Sequence, residues 1–99
     1  GLTAVFAASD HLAMGCIRAL WDRGLRVPED VSVMGFDNLS ITNYAVPPVT
    51  TVDQPRYEMG RLSAEKICQI LDGQTVEERH FVLAHSIVHR SSTAAPPAQ

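Results

Sequence analysis

Apolar residues fall into two kinds of run along this chain. Thr3 to Ala8 (TAVFAA) and Val31 to Phe36 (VSVMGF) are short and nearly continuous, the pattern of strands covered on both faces. Between them, His11 to Arg23 carries apolar residues at three- and four-residue intervals. Leu12, Ala13, Cys16, Ile17 and Leu20 share one stripe, which predicts an amphipathic helix. Asp10 stands where a carboxylate would accept from the first free backbone N–H groups, and is the expected N-cap. Gly24-Leu25 supplies a C-terminal cap, and Pro28 prevents the helix from continuing. Strand, helix and strand in this order predict a βαβ unit with a right-handed crossover.

The second half reads less regularly. Asp37 to Thr50 is a long loop with Asn38, Ser40, Asn43 and the pair Pro47-Pro48; loops of this length inside a domain are usually functional. Thr51-Val52-Asp53 looks extended. Gln54-Pro55 then opens a second helix with proline at its first position. Tyr57, Gly60, Ala64, Ile67, Cys68 and Leu71 line one face, Glu58, Arg61, Glu65, Gln69 and Asp72 the other, and Gly73 ends the helix. His80 to His89 predicts a last strand, and Ser91 to Gln99 a polar tail. Three clear strands and two helices make few layers for an α/β sheet with both faces covered. The apolar faces therefore predict that elements from a larger protein, or a second copy, cover them.

Composition narrows the function. Of 99 residues, 45% are hydrophobic and 19% charged, with a net charge of −3, so the chain is globular and lacks the basic stripe of a nucleic-acid-binding domain. No apolar run has the length of a membrane span, and no basic and apolar leader precedes the first strand. Cys16 and Cys68 fall on the apolar faces of predicted helices without CxxC or Cys/His spacing, which reads as buried, reduced thiols of a cytosolic protein and no metal site. His85 and His89 are too widely spaced to share a ligand. No GxSxG, P-loop, GxGxxG or HExxH pattern supports catalysis, and no cofactor is implied.

Asp37 is the leading chemical candidate. It follows Gly35-Phe36 at the carboxyl end of a predicted strand, where open α/β sheets bind ligands. Its carboxylate suits ligand hydroxyl or ring N–H groups, or alternatively caps its own loop. Ser9 ends the first strand nearby, with a hydroxyl for a ligand or for the helix start. Met14 and Trp21 lie two turns apart beside the core stripe and, with Ile17, widen the apolar arc beyond the needs of one sheet; such residues are enriched at interfaces.

The segments Thr3 to Asp10, Ala13-Met14-Gly15, Gly24 to Asn38, Pro47 to Val52, Gln54 and Arg90-Ser91-Ser92-Thr93-Ala94 together resemble the C-terminal part of lac/gal repressor family regulators. The resemblance implies a partial periplasmic-binding-protein-like (type I) α/β fold, a parallel sheet with flanking helices cut from a two-lobed core. It implies C-terminal-lobe residues from 1 to about 51, N-terminal-lobe elements from 52 to 84, and a return strand and tail from 85 to 99. It also implies that Asp37, with Ser9 and Gln54, contacts a small effector, a sugar or a nucleoside. Met14, Ile17 and Trp21, with Ile41, Tyr44 and Ala45 of the loop, would form a homodimer interface. DNA would be bound only through a helix-turn-helix domain absent from this chain, in the cytoplasm and without membrane contact. A periplasmic sugar-binding transport protein is the alternative on the same fold. A nucleotide-dependent enzyme, lacking a phosphate loop or an acid/base pair here, is the third.

Overall fold

The computed structural model describes residues 1–98. Its elements, in chain order, are β1 (Ala4–Phe6), α1 (Asp10–Asp22), β2 (Ser32–Met34), a short 3-10 turn (Ser40–Asn43), β3 (Thr51–Asp53), α2 (Arg56–Leu71) and β4 (Ser86–Val88). They fall into two units. The larger holds Gly1–Asp53 and, among the described residues, 86–98, the smaller Gln54–His85.

In the larger unit, the hydrophobic runs become a parallel pair. Ala4, Val5 and Phe6 lie opposite Ser32, Val33 and Met34, and α1 connects the two strands as the βαβ pattern predicts. β2 is hydrogen-bonded along both edges. On the side away from β1, the N–H groups of Gly35 and Asp37 donate to Thr50 and Val52 O, each at 2.9 Å, and Met34 bridges Thr50 in parallel register. The core lies between this sheet and α1: Ala13, Val31, Val33 and Val49, with Val5, Ile17 and Leu20 packed around them.

The helix boundaries carry one correction. Ser9, not Asp10, is the N-cap: its backbone is extended and its hydroxyl accepts from Leu12 N–H at 3.2 Å. Asp10 is the first helical residue and is fully buried. Ser and Asp are both good caps; here the Asp10 carboxylate is taken by Leu39 N–H and the Thr51 hydroxyl, which leaves Ser9 to cap. The C-terminus follows expectation. Gly24 has φ +74°, its N–H donates to Trp21 O, and Leu25 N–H donates to Leu20 O, a glycine-capped end.

In the larger unit, four expectations fail in detail. β1 is not covered on both faces, since Phe6 is 65% exposed. Leu12 is 60% exposed rather than core, because α1 turns Ala13 and Ile17 to the sheet instead. The last strand spans only Ser86–Val88, antiparallel to β3, and Ser91–Thr93 is no free tail. Ser92 is fully buried. Its carbonyl accepts from Val33 N–H at 2.9 Å, and its hydroxyl donates to Val33 O at 2.5 Å while accepting from Thr50 N–H at 2.8 Å. Gln99, the end of the expected tail, lies outside the described residues.

In the smaller unit, α2 starts one residue later than expected, with Pro55 as N-cap, and has no buried residue. The apolar face predicted for it is largely exposed: Tyr57, Ile67 and Leu71 lie open, and so does Cys68, against the expectation of a buried thiol. Arg61 bridges Glu58 and Glu65, each at 3.0 Å, and Lys66 lies over the Phe81 ring at 5.4 Å. These contacts lie on the helix surface, where solvent screening leaves exposed pairs with little effect on stability.

Among the glycines, Gly35 is the one held in close approach. A Cβ there would overlap Asp10 Oδ1 and press on Asp10 Cα at 3.2 Å and Ala13 Cβ at 3.3 Å. Gly35→Ala is therefore expected to destabilise the intact protein by about 1–3 kcal/mol, the usual cost of overpacking. Urea unfolding measures this, and an unchanged midpoint would contradict the close packing.

Candidate functional site

The carboxyl ends of β1 and β2 and the start of α1 converge on one corner of the larger unit. Asp10 organises it. One carboxylate oxygen accepts from Leu39 N–H at 2.7 Å and the other from the Thr51 hydroxyl at 2.6 Å, while Asp10 N–H donates to Phe36 O at 3.0 Å. The start of α1, the loop after β2 and the start of β3 are thus tied to one side chain.

Asp37 lies on that loop, half-buried, just beyond β2. Its φ is +118° and that of Asn38 +56°. A non-glycine residue in such a region costs on the order of 1–3 kcal/mol and persists only where surrounding bonds hold it. Those bonds are present. Asp37 N–H donates to Val52 O at 2.9 Å, and Asn38 N–H to the Thr51 hydroxyl at 3.2 Å. The Asn38 side chain donates to Asp53 Oδ1 at 3.3 Å and accepts from Arg90 Nη2 at 2.7 Å. The strained pair thus lies just past the carboxyl end of β2, the end of an open α/β sheet where ligands generally bind.

Ser9 sits at the end of β1 in the same unit, its hydroxyl engaged as the helix cap. Gln54 is the first residue of the smaller unit. The structure thus brings Ser9 and Asp37 into one unit, with Gln54 in the next. The reading by residue type missed Asp10, Asn38 and Arg90. The signal for Asn38 was its following an aspartate at a strand end, since Asn tolerates left-handed backbone. Arg90 offered only its place in the closing motif.

The second feature is an apolar groove of about 630 Å³ on the larger unit. Met14, Ile17 and Trp21 of α1 line it together with Ala45, Val46 and Pro47 of the loop. Four of the six residues expected at an interface meet here. Ile41 and Tyr44 are exposed but do not line the groove. Trp21 is 72% exposed, a large apolar surface to leave in water. At the rim, Arg26 binds Asp30 through Nε at 3.2 Å and through its own N–H at 2.7 Å. The Arg26 side-chain hydrogen bond holds the Asp30 carboxyl below the usual carboxylate range.

A family model described as a periplasmic binding protein-like domain matches residues 2–93. The chain belongs to that family. It is 41% identical over 91 residues to the HTH-type transcriptional regulator RegA of Clostridium acetobutylicum, covering 92% of this chain and 27% of the relative. The solved lac repressor dimer bound to operator and the anti-inducer ONPF superposes with a TM-score of 0.83 at 36% identity, covering 94% of this chain and 32% of that one. A complex of the transcriptional regulator CelR with cellobiose superposes at 0.82 with 41% identity, covering 91% of this chain and 28% of that one. The chain is thus a periplasmic-binding-protein-like segment matching part of the effector-binding core of LacI-type regulators. It spans about a third or less of the length of these relatives. They are transcriptional regulators by name, not enzymes. No described helix is long and apolar enough to cross a membrane.

Asp10→Ala is expected to destabilise the intact protein by about 3 kcal/mol or more, because it strands Leu39 N–H and the Thr51 hydroxyl and empties a buried site. Thr51→Val should cost less: it loses the hydroxyl's bonds to Asp10 and from Asn38 N–H, but it keeps the volume at the site and the Asp10–Leu39 bond. Paired urea melts give the ranking, and equal stability of Asp10→Ala and its parent would refute the organising role.

Proposed function

We propose that this chain is the effector-sensing and dimer-forming segment of a bacterial DNA-binding transcriptional regulator. The effector is a small polyhydroxyl ligand, a sugar or a nucleoside. Asp37 is its polar anchor, accepting hydrogen bonds from ligand hydroxyl or ring N–H groups. Ser9 contributes from the end of β1: a hydroxyl that caps a helix still has a proton to donate. Gln54 contributes from the N-terminal lobe, to which residues 52–84 belong in this reading. The carrying observation is the Asp37–Asn38 turn, where bonds to Val52, Thr51, Asp53 and Arg90 hold two non-glycine residues at positive φ.

The mechanism in this reading is a population shift. Effector binds two arrangements of the lobes with different affinity and so biases the one that sets the DNA-binding domains on an operator. Those domains lie outside this chain. The Met14–Trp21 groove joins a second copy, so that one ligand event acts on a pair of DNA-binding domains. The protein works in the cytoplasm, without a cofactor and without catalysis. The lac repressor dimer on its operator and CelR with cellobiose support this reading over a transport protein of the same fold.

Titration calorimetry of the intact protein with D-ribose, cellobiose and cytidine tests the site. One of them should bind, and Asp37→Ala should weaken it by about tenfold or more, since a hydrogen bond to a charged group is worth about 1.5–3 kcal/mol. Unchanged affinity removes Asp37 from the site. For the groove, Met14→Arg should shift the intact protein from dimer to monomer in sedimentation velocity, by placing a charge in an apolar contact. A dimer of undiminished stability would show that copies meet elsewhere.

A further inference from the structure

We infer that Arg90 is a positioning residue for the Asp37 site, presetting the turn that presents the carboxylate by gripping Asn38. The inference rests on the reading of Asp37 as effector anchor given above. Asn38, at φ +56°, is in the left-handed well that asparagine tolerates; Asp37, at φ +118°, is outside it. Besides the backbone bonds of the two residues to Val52 and Thr51, the pair is held by what fixes the side chain of Asn38. Its side-chain amide is engaged at both ends: the oxygen accepts from Arg90 Nη2 at 2.7 Å and the nitrogen donates to Asp53 Oδ1 at 3.3 Å.

Arg90 is itself aimed by the chain around it. Its Nη1 donates to Val49 O and to the Thr42 hydroxyl, both at 2.8 Å. Its backbone N–H donates to the Thr50 hydroxyl at 3.0 Å, and that hydroxyl also bonds Thr93 at 2.8 Å. The planar guanidinium thus spans the loop after β2 at one end and the approach to β3 at the other. A lysine, with a single point of charge, cannot hold both. All of these bonds are made within the chain, so the turn does not depend on the effector to hold it, and a held turn lowers the ordering cost of binding. The same grip reaches Asp53, the last residue before the chain leaves the larger unit. The site is thereby fastened to the segment that leads into the smaller unit.

Crystal structures and calorimetry of intact variants test this, with D-ribose, cellobiose and cytidine as probes. In Arg90→Gln, Asn38 should leave positive φ while the β1–β2 pair is unchanged, and probe affinity should fall about tenfold. Adding Asp37→Ala to Arg90→Gln should cost little more than Asp37→Ala alone, since both act on one carboxylate. Asn38→Gly in the Arg90→Gln background should restore part of the affinity, because glycine takes positive φ unaided; a purely structural Arg90 would not be rescued this way. Retention of the turn in Arg90→Gln, or losses that multiply with those of Asp37→Ala, would overturn the inference. Should Arg90→Gln not fold, Asn38→Ala removes the grip with Arg90 in place and is read the same way. If Asp37→Ala leaves affinity unchanged, or no probe binds the parent, the effector reading fails, and the φ of Asn38 in Arg90→Gln alone decides whether Arg90 sets the turn.

Discussion

A buried carboxylate with no space around it is the constraint on which the larger unit depends. Asp10 ties together the start of α1, the loop after β2 and the start of β3. An ionised group can stay buried only when its oxygens are satisfied and the fit is close. Gly35 provides the fit, since any side chain there would meet Asp10. The strand end, the helix start and the loop are thus mutually dependent, and the turn bearing Asp37 inherits a fixed platform.

The chain's last segment completes that platform. Ser92 fills the side of β2 away from β1, beside Thr50, with its carbonyl, and its hydroxyl links Val33 to Thr50. Ser32 adds a reciprocal pair with Ala94, donating to its carbonyl at 3.1 Å and accepting from its N–H at 3.0 Å. Small hydroxyl residues suit this position because each can donate and accept at once, so a strand edge is satisfied without a regular ladder. Arg90 enters the same region and turns those backbone bonds outward to the loop.

Much of this was legible in the sequence. Continuous apolar runs around a 3.6-residue stripe specified the βαβ unit, and Gly24 specified the helix end. The position of Asp37 at a strand terminus followed from Gly35-Phe36 alone. What was not legible depended on partners distant in sequence. Whether Ser9 or Asp10 caps α1 is settled by Leu39 and Thr51, which no local propensity reports. A segment of Ser and Thr at the chain's end reads as a polar tail until Val33 and Thr50 are seen to need its hydroxyls. The open faces of β1 and α2 fit the expectation of apolar surface exceeding the available layers: Phe6, Tyr57 and Leu71 lie uncovered in a chain spanning a fraction of its relatives.

The antiparallel pairing of β3 with β4 has a topological consequence. Asp53 and Ser86 lie opposite one another as backbone partners, on either side of the excursion that builds the smaller unit. In chain terms that excursion is an insert grafted onto a hairpin, closed at its base. A tight two-residue turn of Asn-Gly type could bridge the same two positions. The larger unit's wiring would survive such an excision, since Asn38, Asp53, Thr50 and Ser92 all lie on the retained side. Evolution could therefore vary the insert's surface without rewiring the sheet that carries Asp37.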